Sequence, residues 1–330
     1  MAKIMKKLDK LLTKILIFSL ILFLFSLFFP KNRRNAPKFI ESALLNPKYK
    51  NEVAQIDIQI PSQNGSVTLK KQGDFWQLVK NAGEEKTEIT TFADKKLVAS
   101  LIEKACEIRK LYQISDKESD FDQLKTSENT ARTVTFTGND NKMYTKLHFG
   151  STNPLTNRTF VRSQGSKITF ETENDLSHFL NSDTNYWSEG EILSGIISKG
   201  SNPVEIRFEE KSAKSSLNEK SPDFTTKSAS LLSLRHGSIK DEEDFLSAMQ
   251  SQNPRPSAVL TVQDGSGRSA RIEFFEIEEK GQSESEKSYF YKKSIKPSPA
   301  DSQENAFAFY SENAVYEISA WTYGKIKSLF

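Results

Sequence analysis

Between Ile15 and Phe29 only Ser19 and Ser26 are polar, and no other stretch so narrows what the chain can fold into. Leu11, Leu12 and Thr13 lengthen the run by a turn, with Lys14 near enough to its edge to extend outward. As a helix, Leu11 to Phe29 would be about 28 Å long, close to the hydrocarbon thickness of a bilayer. It is apolar on all sides, whereas a core helix of a soluble domain has one apolar face. Pro30 ends it, and Lys31, Arg33 and Arg34 follow. A cleaved signal peptide needs small residues at its cleavage site, but this run closes on Ser26-Leu-Phe-Phe-Pro-Lys with no cysteine for lipoprotein processing. The expectation is a retained single-pass anchor over residues 1–30. Lys3, Lys6, Lys7, Lys10 and Lys14 precede it, against Lys31, Arg33, Arg34 and Lys38 behind it. The positive-inside bias then places the N-terminus in the cytoplasm and the rest on the far side of the membrane.

Charge matters once this segment is set apart. Of 46 basic and 43 acidic residues, five Lys and one Asp lie in residues 1–30, leaving 41 and 42 behind them. A nucleic-acid binder carries a basic field over its folded part, so nucleic acid is not an expected partner. The single cysteine, Cys106, excludes internal disulfides, cysteine-based zinc knuckles and CxxC redox pairs.

Behind the anchor, residues 31–52 read as a basic spacer, with a short helix expected over Pro37–Asn46. Alternation then predicts strands at Ile56/Ile58/Ile60, Val67/Leu69 and Trp76/Leu78, separated by turns at Asn64-Gly65 and Gly73-Asp74. Leu97, Leu101, Ala105, Ile108 and Tyr112 fall at helical spacing, and Thr91 with Asp94 resembles a capping box. Val134/Phe136, Leu147/Phe149, Phe160 and Ile168/Phe170 predict further strands; Leu176, Phe179 and Leu180 predict a short closing helix. A similar order returns behind residue 203. Strands are expected at Val204/Ile206/Phe208, Leu231/Leu232/Leu234, Leu260/Val262, Ile272/Phe274 and Phe307/Phe309, with helices near Lys240–Gln250 and from Ser319. Glu209–Lys227 and Glu278–Asn305, rich in Ser, Lys, Glu and Pro, read as solvated insertions. The fold class is α+β with largely antiparallel sheets: a first domain over 53–187, a linker over 188–202, and a second domain over 203–330 that reads as a diverged repeat of the first.

The string Leu147-His-Phe-Gly150-Ser-Thr-Asn-Pro154, the pair Phe160-Val-Arg162 and Ile168-Thr-Phe170, and Tyr186-Trp187-Ser188-Glu189 resemble the bacterial family called domain of unknown function 4340. The resemblance covers residues 53–195 well and the second half loosely. It departs at Phe121-Asp-Gln-Leu124, where the family often carries a glycine. The resemblance implies a membrane-anchored protein with extracytoplasmic α+β domains, a companion of gliding-motility-type ABC transporters. It attaches no catalytic residue.

The residues themselves suggest little chemistry. His148, His178 and His236 are scattered and read as surface or edge side chains. Cys106 reads as half-buried on its helix. Asp120/Asp122 lacks the glycine and distant glutamate of a calcium loop, and Asp241–Asp244 sits where acids favour a helix start. No phosphate loop, dinucleotide fingerprint or nucleophile elbow occurs. No catalytic, cofactor-binding or metal residue is therefore assigned, and no cofactor is expected. The expected function is non-enzymatic: a membrane-tethered extracytoplasmic accessory or interaction subunit of an ABC-type transport system, with a permease or auxiliary subunit as partner. The alternative is an extracytoplasmic module that binds a glycan or peptide, its small-molecule ligand unknown.

Overall fold

A computed structural model of the chain describes residues 14–20, 38–63, 65–73, 75–80, 89–193, 203–210, 214–240, 242–250, 254–265, 267, 269–277, 287–296 and 314–330. Residues 14–20 form a helical segment, α1. Its side chains Ile15, Leu16, Ile17, Phe18 and Leu20 stand 50% to 70% exposed. The rest of the expected anchor lies outside the described residues. Among the described residues, no helix is long and apolar enough to cross a membrane.

The first sheet has ten strands: β1 (Phe39–Ser42), β2 (Val53–Ile60), β3 (Gly65–Gln72), β4 (Phe75–Lys80), β5 (Ile89–Phe92), β6 (Arg109–Ser115), β7 (Arg132–Gly138), β8 (Met143–Asn153), β9 (Arg158–Ser163) and β10 (Thr169–Glu173). Their spatial order is β1-β6-β10-β9-β8-β7-β2-β3-β4-β5, and every pairing is antiparallel. Alternation decides the faces: Ile56, Ile58, Leu69, Leu78, Val134, Phe136, Leu147 and Phe149 all turn to one core. Helix α2 (Lys95–Cys106) closes that core with Val98, Leu101, Ile102 and Ala105. Val98, Leu101 and Ile102 each contribute roughly 1.5–3 kcal/mol by leaving water. Asp94, rather than Thr91, caps α2, accepting from the amides of Lys96 and Leu97 at 2.8 and 3.2 Å. A 3-10 turn over Asn174–Phe179 and the short helix α3 (Thr184–Trp187) complete the cover. Trp187 is fully buried, its indole N–H donating to the Asn181 carbonyl at 2.7 Å.

The second sheet contains β11 (Pro203–Glu210), β12 (Lys214–Asn218), β13 (Ile239–Lys240), β14 (Ala258–Asp264), β15 (Ser269–Ile277), β16 (Ser288–Lys296) and β17 (Val315–Ile318), in the order β12-β11-β14-β15-β16-β17-β13. It too is antiparallel throughout. One face buries Ile206, Leu260, Val262, Ile272, Phe274 and Tyr291 beneath residues of α4 (Phe224–Leu232) and α6 (Ala320–Ser328). The other receives Phe245 of α5 (Glu242–Met249), whose ring meets Phe275 and Phe290 at 5.2 and 5.8 Å.

The two sheets repeat one topology. Substituting β2, β3, β6, β7, β8, β9 and β10 for β11, β12, β13, β14, β15, β16 and β17 turns the order of one sheet into that of the other. A helix precedes β6 and β13 alike, and a helical element follows β10 and β17 alike. The fold is thus α+β, with two sheets that fit two domains. The first adds β1 at one edge and β4-β5 at the other.

Several local expectations fail for identifiable reasons. Pro37–Asn46 supplies a strand, β1, because its backbone completes the ladder of β6, Ile40 facing Leu111 and Phe39 facing Tyr112. Leu231 and Leu232 end helix α4, where Phe224, Ser228 and Leu231 form one buried stripe at helical spacing. The supposed insertions yield β12 and β16. Strand β16 carries Tyr289, Phe290 and Tyr291 and lies between β15 and β17, so its charged flanks concealed a sheet interior. Phe307 and Phe309 lie outside the described residues.

Candidate functional site

A group of polar side chains removed from water lies where the two sheets meet, with Thr91, Ser188 and Lys293 buried. Antiparallel pairing of β4 and β5 carries Thr91 and Phe92 to the edge of the first sheet. The chain then returns beside them: the Asp94 amide donates to the Trp187 carbonyl at 2.8 Å, and the Glu189 amide to the Phe92 carbonyl at 2.9 Å. From there it joins the second sheet's side. The Ile192 amide donates to the Leu234 carbonyl and the His236 amide to the Gly190 carbonyl, both at 3.0 Å. The Ile239 amide donates to Asn185 Oδ1 at 2.7 Å. Ile192 and Leu193 are buried, Ile192 within the second core. A Cβ at Gly190 would come within 2.5 to 3.0 Å of the Arg235 guanidinium, so a larger residue there would have to displace that side chain.

Further side chains cross this seam. The Thr91 hydroxyl and the Tyr316 phenol share a short hydrogen bond. Lys293, only 4% exposed, donates to the Ile192 carbonyl at 3.4 Å. Its ammonium lies 5.3 Å from the Phe92 ring centre and 5.6 Å from that of Tyr316, so aromatic faces from both sheets share one cation. His236 packs its ring 4.8 Å from Tyr316 and places Nε2 at 3.0 Å from the Glu189 carbonyl. Burial pushes the His236 pKa down to about 4, with Lys293 and Arg235 acting in the same direction. Burial also raises that of Glu189, helped by Asp94 and Glu191. Such a seam can fix two sheets to each other and keep a histidine neutral.

Polar groups also gather in two other places. A cleft of about 440 Å³ opens beside β1 and β6, lined by Glu41, Arg109, Lys110, Tyr112, Arg158 and Glu173 among others. Arg158 stacks 4.2 Å from the Tyr112 ring centre, and Arg109 pairs with Asp175 at 2.6 Å. The third place is His148, between Thr133 and Arg162 in the registers of β7, β8 and β9. Arg162 is held by two bonds to the Thr126 carbonyl, at 3.1 and 2.9 Å, and stacks on Phe121. The segment between β6 and β7 thereby seals the face opposite the core. His148 is fully buried with neither ring nitrogen hydrogen-bonded, and its pKa falls to about 4, chiefly by burial.

The sequence-based reading of the histidines thus needs correcting. His178 is exposed, His236 is half-buried at the seam, and His148 is buried because a loop covers what the alternation marked as solvent. Cys106 is buried, and burial raises its thiol pKa. Asp120 accepts from the Ser115 hydroxyl at 2.6 Å, and the described acids Glu242, Glu243 and Asp244 occupy the first turn of α5. Among the described residues, no group of three or more His, Cys, Asp or Glu is placed to hold a metal ion. Lys293 was not singled out by its sequence. The signal was there in the alternation Tyr289, Tyr291, Lys293, which puts a lysine on an inward position of a strand.

No curated protein and no solved structure gives a significant match. A family model does match, over residues 76–253. Its span starts inside the first sheet at β4, crosses the seam and ends just behind α5, so it reaches well beyond the first half. Covering more than half of the sequence, it shows that the chain belongs to the family described as Domain of unknown function (DUF4340).

Proposed function

We propose that the chain is a non-enzymatic, membrane-tethered accessory or interaction subunit of an ABC-type transport system, with both sheets outside the cytoplasm of a bacterial cell. The observation that carries the tether is α1, whose five apolar side chains are at least half exposed among the described residues. Water disfavours such a surface, and the run continues in sequence to Phe29. Tethering confines the sheets to the membrane plane and raises their effective concentration toward other membrane proteins. Among the described residues, β12 is an edge strand with a backbone able to pair with another chain. The near balance of charge behind the anchor leaves little long-range attraction, so contacts of this kind are apolar and backbone in character. Family resemblance supplies the partner class, a permease or its extracytoplasmic companion. Tagged full-length chain extracted in mild detergent should bring such a subunit with it and lose little of it in moderate salt. Recovery of the chain alone, from cells expressing the transporter, would refute the assignment.

The charged cleft beside β1 and β6 favours a second reading, an extracytoplasmic ligand-binding module. Its guanidinium and carboxylate groups around Tyr112 suit a charged peptide or glycan. Screening immobilised chain against such ligands separates the two readings.

A further inference from the structure

The described surface exposes seven large apolar side chains outside α1: Phe39, Ile40, Ile108, Ile114, Met143, Leu155 and Trp321. Their positions are not scattered evenly. Strand β1 enters the sheet antiparallel to β6, with the Lys38 carbonyl accepting from the Gln113 amide at 2.8 Å. Phe39 and Ile114 therefore occupy the corner where the chain arrives, on the same face as Tyr112, and Ile40 flanks them on the other face. Phe39 and Ile40 are each 50% exposed and Ile114 43%. The registers of β8, β9 and β10 place Met143 at this same end of the strands, and Leu155 at the opposite end.

From Phe29, the last apolar residue of the N-terminal run, to Phe39 the chain has ten residues, able to reach about 35 Å when extended and less otherwise. Pro30 and the cationic Lys31, Arg33, Arg34 and Lys38 fill this interval, a composition that favours the headgroup layer. Lys110 lies 5.2 Å from the Phe39 ring centre, leaving the far side of that ring uncommitted to the cation. We propose that this corner of the first sheet rests on the outer leaflet, with Phe39, Ile40 and Ile114 entering the interface. The inference builds on the tethered reading given above. Lipid is the occupant because this corner is where the chain from the anchor enters the sheet, ten residues behind Phe29. The contact is apolar rather than ionic: Glu41 and Asp116 border the corner along with Lys38 and Lys117, so insertion of apolar side chains must supply the binding. It orients the first sheet with its strand ends on the membrane.

The test uses full-length chain in phosphatidylcholine vesicles, on a Cys106→Ala background. Single cysteines are introduced as Ile114→Cys and, at the far end of the strands, Leu155→Cys, each carrying an environment-sensitive fluorophore. Six residues of β9 separate the two ends by about 20 Å. Nitroxide-labelled lipid should quench the probe at 114 at least about twofold more than the probe at 155. Replacing a third of the lipid by phosphatidylglycerol should leave that ratio unchanged. Equal quenching at the two sites, or stronger quenching at 155, overturns the proposal while leaving the tether intact. A probe at 114 shielded from a water-soluble quencher yet untouched by lipid nitroxide means that protein covers the corner, which also overturns it. A chain that fails to float with vesicles defeats the tether itself, and the proposal with it.

Discussion

Acidification should weaken the first sheet through His148, in a manner that one substitution can isolate. In the folded chain this imidazole is fully buried with both nitrogens unbonded, and its pKa is pushed down to about 4 from an ordinary 6.5. Burial is the main cause; Arg162 and Lys146 reinforce it and Glu128 opposes it. Because the folded pKa lies below the unfolded one, the unfolded chain binds the proton first. The contribution to stability is whole above pH 6.5 and drains away as pH falls toward 4. At 1.4 kcal/mol per decade, the gap between 6.5 and about 4 amounts to about 3 kcal/mol once both states are protonated. Within the window the stability slope from this one group approaches about 1.4 kcal/mol per pH unit.

The perturbation is His148→Leu, which removes the titration along with two unsatisfied nitrogens. Urea unfolding of the detergent-solubilised full chain, followed by tryptophan emission, reads the right region. Trp76 and Trp187 are buried in the first core, while Trp321 is 71% exposed. At pH 7.5 the variant should match or exceed the parent by about 1 kcal/mol, since it no longer buries an unpaired polar group. At pH 4.5 its advantage should be larger by about 2 kcal/mol. Carboxylates titrate in both proteins and cancel in the difference. Stability curves that run parallel from pH 7.5 to 4.5 would refute the reasoning, because a histidine able to take up its proton in the fold at little cost cannot be sealed from water.

Three further outcomes are expected. Gly150→Ala should destabilise by about 2 kcal/mol or more in the same urea assay, because a Cβ there collides with the Leu124 carbonyl and Thr126. Tyr316→Phe should cost about 1 kcal/mol by removing the phenol that bonds Thr91 across the seam, and should separate the unfolding of the two sheets when tryptophan emission is compared with circular dichroism. Cys106, buried with its thiol pKa raised, should react with a disulfide reagent at least tenfold more slowly in the native chain than in urea, roughly as local opening dictates.

Periodicity revealed those elements whose two faces differ. Ile56/Ile58, Val134/Phe136 and Leu260/Val262 alternate cleanly, because one side of their sheet meets a core rich in aliphatic groups. It failed where a second layer covers the other side. His148 and Thr133 occupy positions that alternation assigns to solvent, yet the loop holding Thr126 buries them. Strand β16 was hidden in the same way: its Lys and Ser residues looked solvated, although Phe290 packs under α5 and Tyr291 under the opposite face. The seam was illegible for a different reason. Lys293, Phe92, Ile192 and Tyr316 come from four separate segments, and no local pattern reports a contact made only when two sheets assemble.

A difference between the two like sheets explains why the seam is polar. Each sheet needs a cover on its core face, and in both copies the elements before β6 or β13 and after β10 or β17 provide it. Among the described residues the strand pair β4 and β5 belongs to the first sheet alone, so its edge faces the second sheet with no equivalent to meet. Backbone groups of the connecting residues 188–192 and side chains of Thr91, Tyr316 and Lys293 satisfy the polar groups that this asymmetry would otherwise strand. Buried polar contacts add little net stability, but a wrong relative placement would leave several of them unpaired. The seam therefore selects one arrangement of the sheets. If the chain is tethered as proposed, that selection would carry the orientation of the Phe39 corner into the second sheet and set where β12 is offered to a partner.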